Sequence, residues 1–325
     1  MKIGIPRGLM YFNYFPTWQT FLEALGHEVL ISNPSNPRVL EQGKEMAVED
    51  VCLPVKIYLG HAAQLIKDDQ VDRVFLPRYV SVEPKRYLCP QVFGAPDIVT
   101  ARTEGADNKV IKFTVNYRKN RFYQYKELIR VGKDLGHNFM DTIKAYRKAL
   151  KAQQEYNQKL LLGYLPGELM EGEEIRRSKK NEDNHLKISV LGHSYNVSDN
   201  FLNMDLLKKV AEAGAEVHTY EMVDRKTKKK YLSYLPERNP YWTFGEELMG
   251  AALNHAIEKK VDGVILVVAF GCGPDSLIGE LCERTLKQYD IPVLYLTMEE
   301  HSGDVGYQTR LEAFFDMLER RQKVS

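Results

Sequence analysis

The feature that most narrows the fold is an echo between the two halves of the chain. KIGIP, at residues 2–6, is a short apolar run that enters a polar, aromatic turn. A helix is expected from about Pro16, with Phe21, Leu22 and Leu25 on one face. Gly26 stands where a C′ glycine belongs, and EVLIS follows as a second strand. From Lys187 the same order returns: KISVLG, the polar turn HSYNVSDN, then a helix carrying Met204, Leu207 and Ala211 at three- and four-residue spacing. Gly214 ends that helix and EVHTY forms the next strand. A helix from about Pro54 to Ile66 then leads into VDRVFLPR, as one from about Phe244 to Glu258 leads into VDGVILVVAFG.

Apolar strands alternating with amphipathic helices indicate parallel sheets with helices on their faces. The expected fold is α/β, with two Rossmann-like parallel-sheet lobes over residues 1–118 and 185–325. Residues 119–184 differ in character, being rich in Lys, Glu, Gln and Tyr, and are expected to form a helical connector ending in a charged linker. The run RKTKKK, at 225–230, is expected as a solvated loop, with phosphate or an acidic partner as its functional alternative. A formal net charge of +1 carries no electrostatic footprint for nucleic acid or an anionic membrane. No apolar stretch approaches the roughly 18 residues of a spanning helix, and MKIGIPRGLM lacks the apolar region of a signal peptide. A cytoplasmic location is expected.

That location bears on the four cysteines, Cys52, Cys89, Cys272 and Cys282. A reducing compartment disfavours disulfides, so these thiols are buried, reactive or ligating. Cys272 follows the most apolar strand, in Phe270-Gly271-Cys272-Gly273-Pro274-Asp275-Ser276, where glycines leave room for a bulky group and Pro274 suits a helix start. Cys89 holds the matching place in the first half, directly before Pro90, and Cys52 precedes a helix that Pro54 can open. Helix N-termini stabilise thiolate charge, and in parallel α/β sheets ligands collect at strand carboxyl ends. The three thiols are expected to meet at the lobe interface around an iron–sulfur cluster. Zinc is the competing occupant, although no close Cys-x-x-Cys or His-x₃₋₅-His pair is present. Cys282 falls inside a helix and is expected to pack. Three thiolates would leave one iron of a cubane cluster without a protein thiolate.

Several motifs resemble the 2-hydroxyacyl-CoA dehydratase/benzoyl-CoA reductase-type iron–sulfur proteins, most nearly the branch associated with or fused to the dehydratase activase. They are IPRGLMYF (5–12), CLPVKIYLGH (52–61), FLPR (75–78), LCP (88–90), LGHSYNVSDNFLN (191–203), FGCGPDS (270–276) and EEHSGDVGYQTRLEAFFDML (299–318). The resemblance implies a low-potential [4Fe–4S] cluster on Cys52, Cys89 and Cys272. It also implies electrons delivered by a separate ATP-dependent activase with its own cluster, and a difficult reduction or dehydration of a small molecule. The chain lacks G-x-x-x-x-G-K-[ST], consistent with ATP being hydrolysed elsewhere. A homologous subunit or a second copy of the chain is the expected assembly partner. One departure stands out: Met298-Glu299-Glu300-His301 replaces an Asp-Glu-His pattern.

Glu300 and His301 follow the strand PVLYLT and are candidates to move protons or to form a structural pair. His193, Tyr195 and Asn196 occupy the ligand-facing first turn of the second lobe, with Arg7 in the equivalent place in the first. Arg310 is an anion-binding candidate or a partner of Glu312. Tyr11, Tyr14, Phe15 and Trp18 line a pocket or form core. The rival functions are a non-catalytic electron-transfer or scaffold subunit, and a two-lobed binding module whose cysteines merely pack.

Overall fold

A computed structural model describes residues 1–119, 121–173, 175, 186–235, 240–300 and 304–324. Two compact units emerge, Met1–Gln158 and Lys159–Ser325. The first contains β1 (Lys2–Ile5), α1 (Tyr11–Ala24), β2 (Glu28–Ile31), α2 (Pro37–Met46), α3 (Leu53–Lys67), β3 (Arg73–Ser81), α4 (Pro90–Arg102), α5 (Ala106–Lys109), β4 (Val110–Asn116), α6 (Arg121–Asp134) and most of α7 (Phe139–Leu161). The second continues with α8 (Pro166–Glu171), β5 (Lys187–Leu191), α9 (Ser194–Val197), α10 (Leu206–Glu212), β6 (Glu216–Thr219), α11 (Arg225–Leu232), α12 (Thr243–Ile257), β7 (Gly263–Ala269), α13 (Gly273–Gln288), β8 (Val293–Met298) and α14 (Asp304–Val324).

Each unit carries a four-stranded sheet, in the orders β2-β1-β3-β4 and β6-β5-β7-β8, and every pairing is parallel. The expectation of two Rossmann-like α/β lobes therefore holds. The echo extends to single atoms. Asp72, second in VDRV, accepts the Lys2 N–H at 2.7 Å, and Asp262, second in VDGV, accepts the Lys187 N–H at 2.7 Å. Gly26 and Gly214 close the first helical hairpin of each lobe at φ +80 and +81, a conformation that a side chain strains. Two helix boundaries differ from expectation. α1 begins at Tyr11, because Pro16 is accommodated inside the helix. Met204 precedes α10 in a turn, at φ +54.

All seven residues of β7 are buried, as a strand with helices on both faces requires. Around it lie Leu191, Leu253, Ile278, Cys282 and Leu286. In the first unit Trp18 packs against Phe75 and Phe113 at ring separations of 5.1 and 4.8 Å. Of the expected connector, residues 119–158 belong to the first unit. There Tyr156 donates to the Phe12 carbonyl at 2.6 Å and Gln153 to that of Asn13 at 2.8 Å, fastening α7 to α1.

The basic run at 225–230 is a helix rather than a solvated loop. Asp224 caps α11, accepting from the Lys226 and Thr227 N–H groups. Lys228, only 5% exposed, pairs with Glu247 and donates to the Tyr220 carbonyl at 3.2 Å. A buried ammonium persists only when paired. Glu247→Gln is therefore expected to destabilise the second unit by about 3 kcal/mol, and Lys228→Met by much less. Urea melts of the two variants decide it; equal losses would mean that Lys228 is not held by this pair.

Candidate metal centre

The parallel order creates a switch point in each sheet, between β1 and β3 and between β5 and β7. Successive connections leave in opposite directions there, opening a crevice at the strand carboxyl ends. The second lobe places His193 two residues beyond β5, and Cys272 three beyond β7. Gly271 makes the turn at φ +77, the left-handed region open to glycine. Cys272 is then the N-cap of α13, with proline in the first turn, and Asp275 lies three residues on.

These residues form one group. A ring nitrogen of His193, the Cys272 sulfur and an Asp275 carboxylate oxygen all lie within 4.8 Å of one another. His193 Nε2 and Asp275 Oδ1 are 2.7 Å apart. The imidazole packs against Tyr195 at 5.0 Å and edge-on to Phe244 at 5.4 Å, so its plane is fixed. His193 Nδ1, Asp275 Oδ2 and both amide atoms of Asn196 are buried without hydrogen-bond partners among the described residues. Sequence reasoning gave Asp275 no ligand role; its place three residues after Cys272, beside a proline-opened helix start, was the available signal.

The first lobe repeats part of this arrangement. Cys89 is the N-cap of α4, the helix after β3, as Cys272 is of the helix after β7. Cys52 is the N-cap of α3, where the second lobe has Trp242 before α12. Both thiols are half-buried. Gln91, in the first turn after Cys89, accepts the Cys52 N–H at 3.1 Å and donates to the Asp50 carbonyl at 3.3 Å. One side chain thereby ties the two cysteine loops together.

Cys282 is 1% exposed in the core, its sulfur 3.6 Å from that of Met249. Burial, reinforced by Asp275, pushes its thiol up to about 12. At pH 8 its thiolate fraction is on the order of one in ten thousand. Iodoacetamide on the native, metal-free protein is expected to label Cys52 and Cys89 and spare Cys282, read by peptide mass spectrometry. Early labelling of Cys282 would refute its buried placement.

The remaining candidates separate. Glu300 is half-buried just beyond β8, at the carboxyl edge of the sheet; His301 lies outside the described residues. Arg310 donates to the Tyr295 carbonyl at 2.5 Å, which ties α14 to β8. Arg7 is held by Ser32, through its backbone N–H at 2.9 Å and its Nε at 2.7 Å. Tyr11, Phe15 and Trp18 line a cavity of about 30 Å³, while Tyr14 stacks on Tyr79 at 5.1 Å. That volume suits a water or two, not an organic substrate.

The fold and site together define a protein of two parallel α/β lobes with cysteines at helix starts, one of them grouped with a histidine and an aspartate. A family model for the CoA enzyme activase uncharacterised domain matches residues 2–223, and the chain belongs to that family. A model for the 2-hydroxyglutaryl-CoA dehydratase D-component matches residues 168–318. Both agree with the resemblance carried by the motifs. No curated protein matches the chain.

Among the described residues, no helix is long and apolar enough to cross a membrane.

Proposed function

We propose that the protein is a dehydratase-type component that holds a [4Fe–4S] cluster on Cys52, Cys89 and Cys272 and draws electrons from a separate ATP-dependent activase. The observation that carries this is shared by all three cysteines: each is the N-cap of a helix with proline in its first turn. The N–H groups of a helix start, with its positive dipole end, favour a thiolate and the sulfide charge of a cluster. Gln91 supports the reading by tying the Cys52 and Cys89 loops, and the core position of Cys282 leaves three thiolates for the task. When bound, such a cluster would supply a low-potential electron and, at an iron without a protein thiolate, a Lewis acid for a substrate oxygen.

The chain's own residues have complementary roles. Asp275 orients His193 beside Cys272, and buried Asn196 offers a free donor and acceptor within one helical turn of that histidine. Glu300 and His301, after β8, are the proposed proton carriers. The matched names support an activase partner and an assembly of several components.

Anaerobic purification or reconstitution, with iron, acid-labile sulfide and visible absorption measured, tests the cluster. Iron and sulfide in equal amounts are expected; their absence, or stoichiometric zinc, overturns the proposal. Reduction by activase and ATP, followed by 2-hydroxyacyl-CoA, then tests the activity. Reduction without turnover across that substrate class would favour an electron-transfer subunit.

A further inference from the structure

We infer that the second unit by itself builds a site for one divalent transition-metal ion, with Cys272, His193 and Asp275 as its protein ligands. The ligand atoms lie within 4.8 Å of one another. A tetrahedral ion with bonds of about 2.0–2.3 Å keeps its ligand atoms about 3.3–3.8 Å apart. Binding therefore asks the group to contract by at most about an ångström, while the 2.7 Å His193–Asp275 contact widens by several tenths.

Two independent observations point to a ligand here. His193 Nδ1 and Asp275 Oδ2 are buried without hydrogen-bond partners among the described residues, in side chains 7% and 3% exposed. Leaving such atoms unsatisfied is costly, because burial has taken their water away. A cation at this group neutralises the buried carboxylate and takes the lone pair of one ring nitrogen, the other ring nitrogen keeping the imidazole proton. The second observation is placement: β5 and β7 flank the switch point of the sheet, where α/β folds gather ligands.

The donor set narrows the ion. One thiolate, one imidazole and one carboxylate suit Zn²⁺, Fe²⁺ or Co²⁺, whereas Mg²⁺ and Ca²⁺ take all-oxygen shells. Three protein ligands leave a fourth position for water or another small oxygen or nitrogen donor, the pattern of open zinc sites. The site does not depend on the cluster proposed above. The two share only Cys272, so ion and cluster are alternative occupants of that thiolate.

The test uses the full-length chain carrying Cys52→Ser and Cys89→Ser, which removes the other proposed cluster ligands. Titration with Co²⁺ is expected to give one equivalent bound, with a thiolate-to-cobalt charge-transfer band and the visible bands of a tetrahedral ion, displaced by Zn²⁺. Adding Cys272→Ser abolishes the charge-transfer band; adding His193→Gln or Asp275→Asn weakens binding by roughly tenfold or more. Adding His193→Cys instead is expected to restore a tight site with a stronger charge-transfer band, and it decides the matter if the glutamine variant fails to fold. No charge-transfer band, or one of unchanged affinity in folded His193→Gln and Asp275→Asn variants, overturns the inference. Iron and sulfide in the unaltered protein report on the cluster separately, so either idea can fail alone.

Discussion

Replacing Cys272 with serine is expected to reduce the iron of the anaerobically reconstituted protein from about four atoms per chain to background, with the fold intact. The argument has two parts. A serine hydroxyl stays protonated where a thiol at a helix N-terminus ionises, so the variant offers no anionic ligand. As an N-cap, however, serine is the better residue. Cys272 has the extended backbone of a cap, φ −84 and ψ 102, yet its side chain makes no capping hydrogen bond. Pro274 has no N–H, which leaves the Asp275 N–H for a serine oxygen to accept, and such caps contribute about 0.5–2 kcal/mol. Loss of sulfur burial offsets part of that, so the melting temperature is expected to move by no more than roughly 4 °C. Cys282→Ser is the counterpart. It puts a hydroxyl into the core beside Met249, costing about 1–3 kcal/mol, yet should retain iron. Iron retained in Cys272→Ser but lost in Cys282→Ser would exchange the roles assigned to the two cysteines.

Gly43→Ala is expected to be the most damaging single methyl that can be added to the first unit. A Cβ at Gly43 would lie 1.8 Å from the Lys56 carbonyl oxygen, and one at Gly60 would lie 1.9 Å from that of Val39. α2 and α3 thus meet backbone to backbone, each through a glycine. The obstacle is peptide rather than a flexible side chain, so one helix must retreat by more than about an ångström, which costs about 3 kcal/mol or more. For a unit of this size that is a fall of roughly 6–12 °C in melting temperature. Gly94→Ala supplies the contrast: its Cβ meets nothing within 4 Å in the interior of α4, and it should be neutral or stabilise by about 0.5–1 kcal/mol. Differential scanning calorimetry separates the two, and equal melting temperatures would deny the close approach. Because α3 begins at the residue after Cys52, the same retreat is expected to displace that thiol and lower iron content.

Much of this was legible in local pattern. The strand–helix alternation from Lys2 and again from Lys187, the closing Gly26 and Gly214, and the cysteines before prolines are short-range signals. Periodicity and capping act over one or two turns, so they can be read from neighbours alone. RKTKKK misled because its charge suggested solvent. Only the packing of α11 on α12 brings Glu247 to Lys228 and lets that lysine be buried. Nothing local to Gln91 marks it as the clamp of the Cys52 loop, and Gly43 carries no signal that a carbonyl of another helix rests on it.

By itself the sequence determined the order of strands and helices, the placing of Cys52 and Cys272 at helix starts, and that of Cys89 before a proline beyond a strand, since all follow from residues close together in the chain. The tertiary structure decided what those thiols stand beside. Parallel pairing of β5 with β7 carries the loops after them to one sheet edge, and there His193 and Asp275 reach Cys272. The same packing encloses Cys282 in the core and holds its thiol protonated, because desolvation depends on every neighbour at once and no stretch of sequence contains them all.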